Sequence, residues 1–352
     1  MGASRPVANS CQLPKYLAAG FYRGMFYDIG ATGEVDPLGC SGLAVCVLPV
    51  PRAHDNNAAT VKGEEELMRS HSYAGTCLPV GADITRPSIA RAYDYSLGGK
   101  DNYDVDRAAF ERVLAVAPQQ REVSRMNREW LYRVVRYLAG QAGIDQFLDV
   151  GAGLPAVVNT HEVAQLGNRT ARVVYVDNDP LCAAHGRAML AQNAFTHVVC
   201  GDLLEKGTLL ENREVLGYLE LDRPVGLIMC GLLHHLDDAL DPAGVMREYI
   251  DRLPQGSYVA ISHFWDPAEE DPELHDLAAR LQRAFIECGL GSGRYRTREQ
   301  IRAYFGGLEL LEPGLVRLDD WWPSGPAVQA RPPEALMLGG LAYKPTSVLS
   351  LR

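Results

Sequence analysis

The sequence predicts an α/β fold in which helices cover both faces of a mostly parallel sheet. Three observations support this class: short apolar runs recur along the chain, segments with helix-start signals separate them, and the first run ends in a glycine-rich turn at residues 151–153. Such alternation is typical of βαβ units, whose parallel strands are buried on both faces and read as nearly continuous apolar runs.

Composition and charge restrict the partners that this protein is expected to bind. The chain has 352 residues, of which 47% are hydrophobic and 22% are charged, and its formal net charge is −10. This composition is typical of a globular protein, and the negative charge would repel a nucleic-acid backbone. No stretch has the length and apolarity of a membrane span, and no signal-peptide pattern opens the chain. We therefore expect a small-molecule substrate, with neither nucleic acid nor membrane as partner, and the sequence leaves the oligomeric state open.

The eight cysteines show no CxxC spacing, and several lie in apolar runs, such as Cys230 in LIMCGLL. A thiol in such a run packs as a small hydrophobic group. The sequence therefore predicts reduced cysteines and a cytoplasmic location.

The chain is expected to divide into three parts. Residues 1–82 lack sustained periodicity, and only residues 42–50 resemble a strand. This part is expected to be either a poorly ordered extension or sequence upstream of the true start. An apolar stripe at three- and four-residue intervals runs from Val123 to Leu138 and stops at Gly140, which predicts an amphipathic helix. Residues 83–140 are therefore assigned to a helical cover, and residues 141–352 to the α/β domain.

The strands of that domain are expected in five apolar runs and a late pair. The five runs are residues 147–150, 172–177, 197–200, 224–230 and 257–264, and the closing antiparallel pair is residues 308–312 with 335–343. Helix starts between and after them are marked by proline at the first position or by a capping residue. These starts are Pro155, Asp179–Pro180, Asp241–Pro242, Pro272, and Thr297 with Gln300.

The turn after the first strand, DVGAGLP, predicts a ligand site. Gly151 and Gly153 allow close backbone approach to a ligand, and Asp177, roughly 20 residues further on at the end of the second strand, is placed to bind ribose hydroxyls. Asp149 suits the ammonium group of S-adenosylmethionine, and Pro155 lacks the N–H that a phosphate cradle at a helix start would use. The loop therefore favours S-adenosylmethionine over a dinucleotide, although a turn without a ligand also explains the glycines.

A third acid, Asp202, follows the third strand. Its carboxylate can accept a hydrogen bond from an adenine amino group while the backbone of Leu203 meets the ring edge. The alternative is a helix N-cap. Acids after three successive strands would lie along the carboxyl edge of the sheet, where open α/β folds bind ligands.

Three segments resemble strand signatures of class I S-adenosylmethionine-dependent methyltransferases: FLDVGAGLP (147–155), VVYVDNDP (173–180) and SYVAISH (257–263). Residues 86–107, RPSIARAYDYSLGGKDNYDVDR, are similar to the N-terminal signature of an actinobacterial S-adenosyl methyltransferase family first catalogued as a domain of unknown function. The later segments GLELLEPGLV, WWP and GGLAYKP fit the same family. The resemblance covers roughly residues 83–345, and YDY-x-LGGKDN is its most specific part.

This resemblance implies a Rossmann-like, seven-stranded sheet, mostly parallel with a closing antiparallel strand, under an N-terminal helical cover. It also implies methyltransferase activity, with S-adenosyl-L-methionine as cofactor bound in residues 141–352. The candidate cofactor-binding residues are Tyr93, Gly98, Gly99, Asp149, Gly151, Ala152, Gly153, Asp177, Asn178, Asp202, Leu203 and Cys230.

The segment LGGKDN has two interpretations. In the first it closes over the cofactor, with Tyr93 or Tyr95 near the adenosine or the sulfonium and with Gly98 and Gly99 allowing close backbone approach. In the second it is a rigid turn that packs a helix on the domain.

Methyl transfer depends mainly on holding the nucleophile and the methyl group together, so a strong base is not required. His234 and His235 follow the fourth strand and His263 ends the fifth, where each is a candidate proton acceptor near neutral pH. The alternative for each is a packing or capping role. The adjacent pair lacks the spacing of a metal site, so no metal is predicted.

The sequence thus predicts a cytoplasmic S-adenosylmethionine-dependent methyltransferase that acts on an unidentified small molecule. Two alternatives stay open: a regulatory protein that binds the cofactor without catalysis, and an NAD-dependent oxidoreductase on a Rossmann fold. The missing third glycine of the loop counts against the oxidoreductase.

Overall fold

The computed structural model describes residue 79 and residues 81–191, 193–205, 208–322 and 334–346. The predicted extension over residues 1–82, with its strand at 42–50, therefore lies outside the described residues, apart from residues 79, 81 and 82. The predicted helical cover, 83–140, and most of the α/β domain lie within them.

Eight strands of the described chain form one mixed sheet. They are β1 (Gln146–Val150), β2 (Arg172–Asp177), β3 (Thr196–Cys200), β4 (Gly226–Cys230), β5 (Tyr258–Phe264), β6 (Glu309–Leu310), β7 (Val316–Arg317) and β8 (Met337–Tyr343). Their order is β3-β2-β1-β4-β5-β8-β6, and β7 pairs with β8 beside this path. β1 to β5 are parallel, whereas β8 runs antiparallel to β5. The predicted fold class is confirmed, and the two-residue β7 adds one short strand to the seven expected.

Nine α-helices occur in the described part of the chain. They are α1 (Ile89–Ser96), α2 (Asp104–Val116), α3 (Gln120–Gly140), α4 (Thr160–Gly167), α5 (Pro180–Met189), α6 (Arg213–Leu216), α7 (Pro242–Arg252), α8 (Pro272–Glu287) and α9 (Arg298–Ala303). Buried side chains form two apolar clusters. Phe147 of β1 belongs to the cluster that contains Trp130 of α3, and the next residue, Leu148, belongs to the cluster that contains Met246 of α7. Because side chains alternate along a strand, both faces of the sheet are covered.

Several helix starts follow the predicted capping signals. Asp179 accepts a hydrogen bond from the Leu181 N–H at 2.8 Å at the start of α5. Asp271 accepts one from the Leu274 N–H at 3.1 Å at the start of α8. A capping box at Thr297 begins α9. Since each cap is a contact within three residues, the sequence alone is enough to locate it.

The helix after β1 begins at Thr160, and its predicted start at Pro155 is wrong. Asn159 and Glu162 form a capping box at the true start, with the Asn159 N–H donating to Glu162 Oε2 at 2.7 Å. The Ala156 N–H also donates to Asn159 Oδ1 at 2.9 Å. Pro155 lies in the preceding loop, so its missing N–H removes no donor from the helix start and does not discriminate between a phosphate and S-adenosylmethionine.

Residues 97–102 connect α1 to α2 in a turn that is organised by Asp94. Its Oδ2 accepts hydrogen bonds from the Asp101 N–H at 2.9 Å and from Asn102 Nδ2 at 2.8 Å. Gly98 has a φ of 83°, and a Cβ on Gly99 would overlap the Asp94 carboxylate. The turn itself therefore requires both glycines.

The substitution Gly99→Ala tests this turn. The new methyl group would displace the Asp94 carboxylate from its two donors, so we expect the free energy of unfolding to fall by about 1–3 kcal/mol. Urea unfolding measures the change. Gly140→Ala at the end of α3 is the matched control, because no heavy atom lies within 4 Å of the added Cβ. That variant should be unchanged or more stable by up to about 1 kcal/mol, and equal losses in both variants would contradict the assignment.

Candidate active site

A cavity of about 330 Å³ lies at the carboxyl ends of β1 to β5. It is lined by residues of α1 and α3 and by the segments that end or follow these strands. The sequence-predicted residues that line it are Tyr93, Asp149, Gly151, Ala152, Gly153, Asp177, Asn178, Asp202, Leu203, Cys230, His234 and His235. Gly98, Gly99 and His263 do not line it. The strand-end acids and the adjacent histidines therefore line one cavity.

The glycine loop after β1 is fixed to the end of β2. Gly151 and Gly153 both have a φ of 69°, in the region that favours glycine. The Gly151 N–H donates to the Val176 carbonyl at 2.8 Å, and the Gly153 N–H donates to Asp177 Oδ2 at 2.8 Å. A Cβ on Gly151 would lie 2.6 Å from Leu232 Cδ1, so only glycine fits there without a shift.

Asp177 ends β2 with both carboxylate oxygens facing backbone donors. Oδ2 accepts from Gly153, and Oδ1 accepts from the Asp179 N–H at 2.9 Å. A carboxylate oxygen has about two acceptor sites, so each oxygen keeps one for a ligand. Burial raises the pKa of Asp177 above its ordinary value, although these two hydrogen bonds oppose the shift.

Asp149 is the most buried acid of the cavity, with 4% of its surface exposed. It accepts a hydrogen bond from Thr160 Oγ1 at 2.6 Å. Burial raises its pKa to about 6, and both this hydrogen bond and the positive charge of Arg128 oppose the rise. A cation bound beside Asp149 would favour its charged form.

Arg128 of α3 lines the cavity and is absent from the sequence-predicted set. Its Nη2 donates to the Val158 carbonyl at 2.8 Å, whereas its Nε is buried without a hydrogen-bond partner in the described structure. The unpaired donor makes Arg128 a candidate for binding an anionic ligand group. In the sequence, Arg128 follows the polar residue Asn127 and lies beside the apolar stripe of α3. Only the packing of α3 on the sheet shows that this side of the helix faces a cavity.

Asp202 lies beyond β3 beside Asn178. Asn178 Nδ2 donates to Asp202 Oδ2 at 3.3 Å, and the Leu204 N–H donates to Asp202 Oδ1 at 2.8 Å. Asp202 thus caps a turn and not a helix, and Oδ2 keeps acceptor capacity towards the cavity. The neighbouring Leu203 is 7% exposed.

Asn127 of α3 joins α1 to the ends of β4 and β5. Its Nδ2 donates to the Tyr93 hydroxyl at 3.2 Å, and its Oδ1 accepts from Ser262 Oγ at 2.6 Å and from Cys230 Sγ at 3.3 Å. The Tyr93 hydroxyl donates in turn to the Ser124 carbonyl at 3.0 Å. Burial raises the pKa of the Cys230 thiol to about 11, so this thiol is protonated at neutral pH.

His234 and His235 lie in a single 3₁₀ turn after β4. The His234 ring stacks on Phe264 with centroids 3.8 Å apart, and the His235 ring lies 4.4 Å from that of His234. Burial holds the pKa of His234 well below its ordinary value and lowers the pKa of His235 to about 4. Both Nδ1 atoms are buried without a partner in the described structure.

His263 is fully buried in β5 and lies outside the cavity, contrary to its expected place at the ligand cleft. Arg296 Nη1 donates to its Nε2 at 3.1 Å, which leaves Nδ1 to donate to the Phe264 carbonyl at 2.6 Å. Burial lowers its pKa to about 3. With both ring nitrogens bonded and no face on the cavity, His263 is not retained as a proton acceptor.

Gly98 and Gly99 likewise lie outside the cavity, and the Asp94 turn accounts for both. Tyr93, which precedes them within α1, does line it. The geometry of LGGKDN therefore matches the rigid-turn interpretation, and the two glycines are not retained as cofactor contacts.

No helix in the described residues combines the length and apolarity needed to cross a bilayer. In the same residues, no group of three or more His, Cys, Asp or Glu side chains is arranged to hold a metal ion.

The chain belongs to the S-adenosyl methyltransferase family, whose model matches residues 78–345. This membership favours methyl transfer over the NAD-dependent oxidoreductase and over the non-catalytic binding protein, the two alternatives that the sequence left open.

Two solved structures are similar over most of the chain. A candidate methyltransferase from Thermobifida fusca YX is 40% identical with a TM-score of 0.71, and the match covers 77% of this chain and 100% of that one. A DUF574 family protein from Streptomyces avermitilis MA-4680 is 35% identical with a TM-score of 0.68, and the match covers 75% of this chain and 99% of that one. No curated protein matches the sequence.

Arg296 holds the histidine turn in place. It donates to the Leu233 carbonyl at 3.2 Å and to the Leu236 carbonyl at 2.8 Å, and it pairs with Asp238 at 2.8 Å. Because Arg296→Met would leave buried carbonyls unpaired, we expect the free energy of unfolding to fall by about 1–3 kcal/mol per lost acceptor. Urea unfolding checks the change.

The matched control for that variant is Arg247→Met. Arg247 pairs with Asp241 at 3.4 Å, but its side chain is 58% exposed, so the expected loss is only about 0–1 kcal/mol. Similar losses in the two variants would show that Arg296 does not anchor the turn.

Proposed function

We propose that the protein transfers a methyl group from S-adenosylmethionine to a small-molecule acceptor bound in the described cavity. One observation carries this proposal: the three strand-end acids and the two histidines after β4 line the same cavity. In the sheet order β3-β2-β1-β4-β5, the acids lie at the carboxyl ends of the first three strands, and the histidines follow the fourth. Cofactor and acceptor would therefore lie side by side along one edge.

The polar side chains along this edge occur in the same order as the parts of the cofactor that they are proposed to bind. Asp202 and Leu203 after β3 are assigned to the adenine, and Asp177 at the end of β2 is assigned to the ribose hydroxyls. Asp149 at β1 is assigned to the ammonium group of the methionine moiety, and Arg128 to its carboxylate. The other proposed cofactor contacts are Tyr93, Gly151, Ala152, Gly153, Asn178 and Cys230.

Charge and polarity support this assignment. Arg128 Nε is buried without a partner, and Asp149 is buried with one hydrogen bond from Thr160. A ligand that carries both a carboxylate and an ammonium group would pair both side chains, which removes the cost of an unpaired buried charge. The remaining acceptor capacity of Asp177 matches two ribose hydroxyls.

Bound S-adenosylmethionine supplies a methyl group on a positively charged sulfur. The contribution of the protein is largely positional, since holding two reacting groups in line can contribute roughly 7–11 kcal/mol. His235 is proposed as the proton acceptor, because its lowered pKa leaves the ring unprotonated at neutral pH. His234, stacked on Phe264, is proposed to shape the acceptor side.

Asp177→Ala tests the ribose contact. Removing a charged acceptor from two hydroxyls should weaken binding of S-adenosylhomocysteine by about ten- to a hundredfold, which corresponds to roughly 1.5–3 kcal/mol. Isothermal titration calorimetry measures the dissociation constant. Unchanged affinity would remove Asp177 from the site.

The control for that variant is Asp271→Ala. Asp179 is a less suitable cap control, because it also lines the cavity and accepts from Ser88 Oγ at 3.1 Å. Asp271 caps α8 and does not line the cavity. Its loss should lower the free energy of unfolding by about 1 kcal/mol and leave the affinity for S-adenosylhomocysteine unchanged.

Asp149 gives the proposed cofactor site a pH dependence. Its pKa is about 6, so the carboxylate loses its charge as the pH falls through this value. Because a ligand ammonium group favours the ionised form, S-adenosylhomocysteine should bind about tenfold more weakly at about pH 5 than at about pH 7, with a plateau above. Calorimetry across this range checks the profile. In Asp149→Asn the binding should be weaker and independent of pH, whereas a persisting dependence would assign the titration to another group, such as Asp177.

A further inference from the structure

Four rings form one side of the cavity, which we call the aromatic end: His234, His235, Phe264 and Phe285. We propose that the aromatic end binds the methyl acceptor and that this acceptor is an uncharged aromatic compound with a hydroxyl group on its ring. The inference rests on the proposed function, because it names the class of substrate for that same site.

The rings contact one another. His234 stacks on Phe264 at 3.8 Å, Phe264 lies 5.6 Å from Phe285, and His235 lies 6.4 Å from Phe285. Their planes differ by 20°, 42° and 65°, respectively, so the rings at this end have several orientations. His234 and Tyr295 both stack on Phe264, so Phe264 offers its edge to a ligand. Because aromatic rings pack favourably against edges as well as faces, a flat ring suits this end.

The aromatic end is uncharged at neutral pH. Its two histidines are unprotonated, because burial lowers the pKa of each. The charged side chains that line the cavity in the described chain lie on α3 or at the ends of β1, β2 and β3; they are Arg128, Asp149, Asp177, Asp179 and Asp202. An acceptor with a carboxylate or ammonium group would lose its hydration at the aromatic end without gaining a partner.

His235 supplies the contact for the hydroxyl group. His235 lines the cavity, and its Nδ1 is buried without a partner in the described structure, so we assign the ligand contact to Nε2. In the tautomer that carries its proton on Nδ1, the neutral Nε2 accepts a hydrogen bond. An aromatic hydroxyl group donates such a bond, whereas an ether or a hydrocarbon does not. The hydroxyl oxygen is also a weak nucleophile until its proton leaves, so an adjacent unprotonated base is useful to this acceptor in particular.

Methyl transfer from S-adenosylmethionine to the hydroxyl oxygen needs no further reactant. The hydroxyl oxygen forms a bond to the methyl carbon, and the bond between carbon and sulfur breaks with its electron pair passing to sulfur. The products are the methyl ether and S-adenosylhomocysteine. The hydroxyl proton passes to His235 Nε2 and then to water. Although His235 is a weak base, it suffices because the hydroxyl proton becomes far more acidic as the new bond to carbon forms.

Calorimetry in the presence of saturating S-adenosylhomocysteine tests the acceptor class. The probes are three phenols of increasing size: 4-methylphenol, 2-naphthol and 4-phenylphenol. We expect at least one of them to bind and to yield its methyl ether with labelled S-adenosylmethionine. For 2-naphthol as the binder, 6-hydroxy-2-naphthoate and decahydro-2-naphthol should each bind at least about tenfold more weakly, because the first adds a charge and the second lacks the aromatic rings. If 4-methylphenol or 4-phenylphenol binds instead, the compounds to compare are the analogue of that phenol with a carboxylate on its ring and the analogue with a saturated ring.

Two variants locate the contact. Phe285→Leu should weaken phenol binding by about three- to tenfold and spare S-adenosylhomocysteine, since it removes a ring that faces the acceptor. Phe305→Leu is its matched control, because Phe305 is equally buried but belongs to the other apolar cluster. His235→Gln should keep the affinity for S-adenosylhomocysteine and slow methyl-ether formation by about a hundredfold or more.

The outcomes distinguish a wrong acceptor class from a wrong proposed function. Equal affinity for a phenol and for its charged or saturated analogue would overturn the acceptor class. If S-adenosylhomocysteine binds but none of the three phenols binds or is methylated, the acceptor class is overturned while the proposed function stands. If S-adenosylhomocysteine itself does not bind, the proposed function fails, and the acceptor class fails with it.

Discussion

One buried amide, the side chain of Asn127, joins the N-terminal helices to the sheet at the cavity. It is 3% exposed, and its bonds to the Tyr93 hydroxyl, Cys230 Sγ and Ser262 Oγ link α1 and α3 to the ends of β4 and β5. Ser262 Oγ also accepts from the Gly231 N–H at 2.9 Å, so the turn after β4 is tied to the same network. Because every member is bonded within the protein, the network fixes where the helices lie over the strand ends.

The parts of the fold that depend on nearby residues could be predicted from the sequence. The parallel strands and the caps at Asp179 and Asp271 are set by apolar runs and by contacts of two or three residues. The predicted start of α4 at Pro155 is wrong, because the helix begins at the capping box of Asn159 and Glu162, a few residues later in the sequence. Two start signals a few residues apart cannot be ranked by propensity alone, since both are compatible with the same loop.

Candidate site residues could be predicted from the sequence where they lie at the ends of strands. They could not be predicted where their role depends on which face of a helix or strand the side chain occupies. Asp149 and Asp177 end adjacent parallel strands, so their proximity follows from topology. Arg128 required the packing of α3. His263 shows the other limit: Ser262 bonds to Asn127 and Phe264 lines the cavity, so the alternation along β5 turns the intervening His263 to the opposite face, against Arg296. A histidine at a strand end therefore predicts a ligand contact only when its face is known.

The sheet edge also separates two electrostatic environments within one cavity. Acids lie at the carboxyl ends of β3, β2 and β1, whereas unprotonated histidines and a phenylalanine lie at the carboxyl ends of β4 and β5. Burial makes the charge of Asp149 costly in the protein alone, so cation binding and ionisation of Asp149 favour each other. No such compensation exists at the ends of β4 and β5, where the nearest buried cation, Arg296, is already paired with Asp238 and His263. In the proposed complex, positive charge is therefore stabilised on the cofactor side. Its loss from the sulfur during transfer is accompanied by protonation of His235 on the acceptor side, which ends when the proton passes to water.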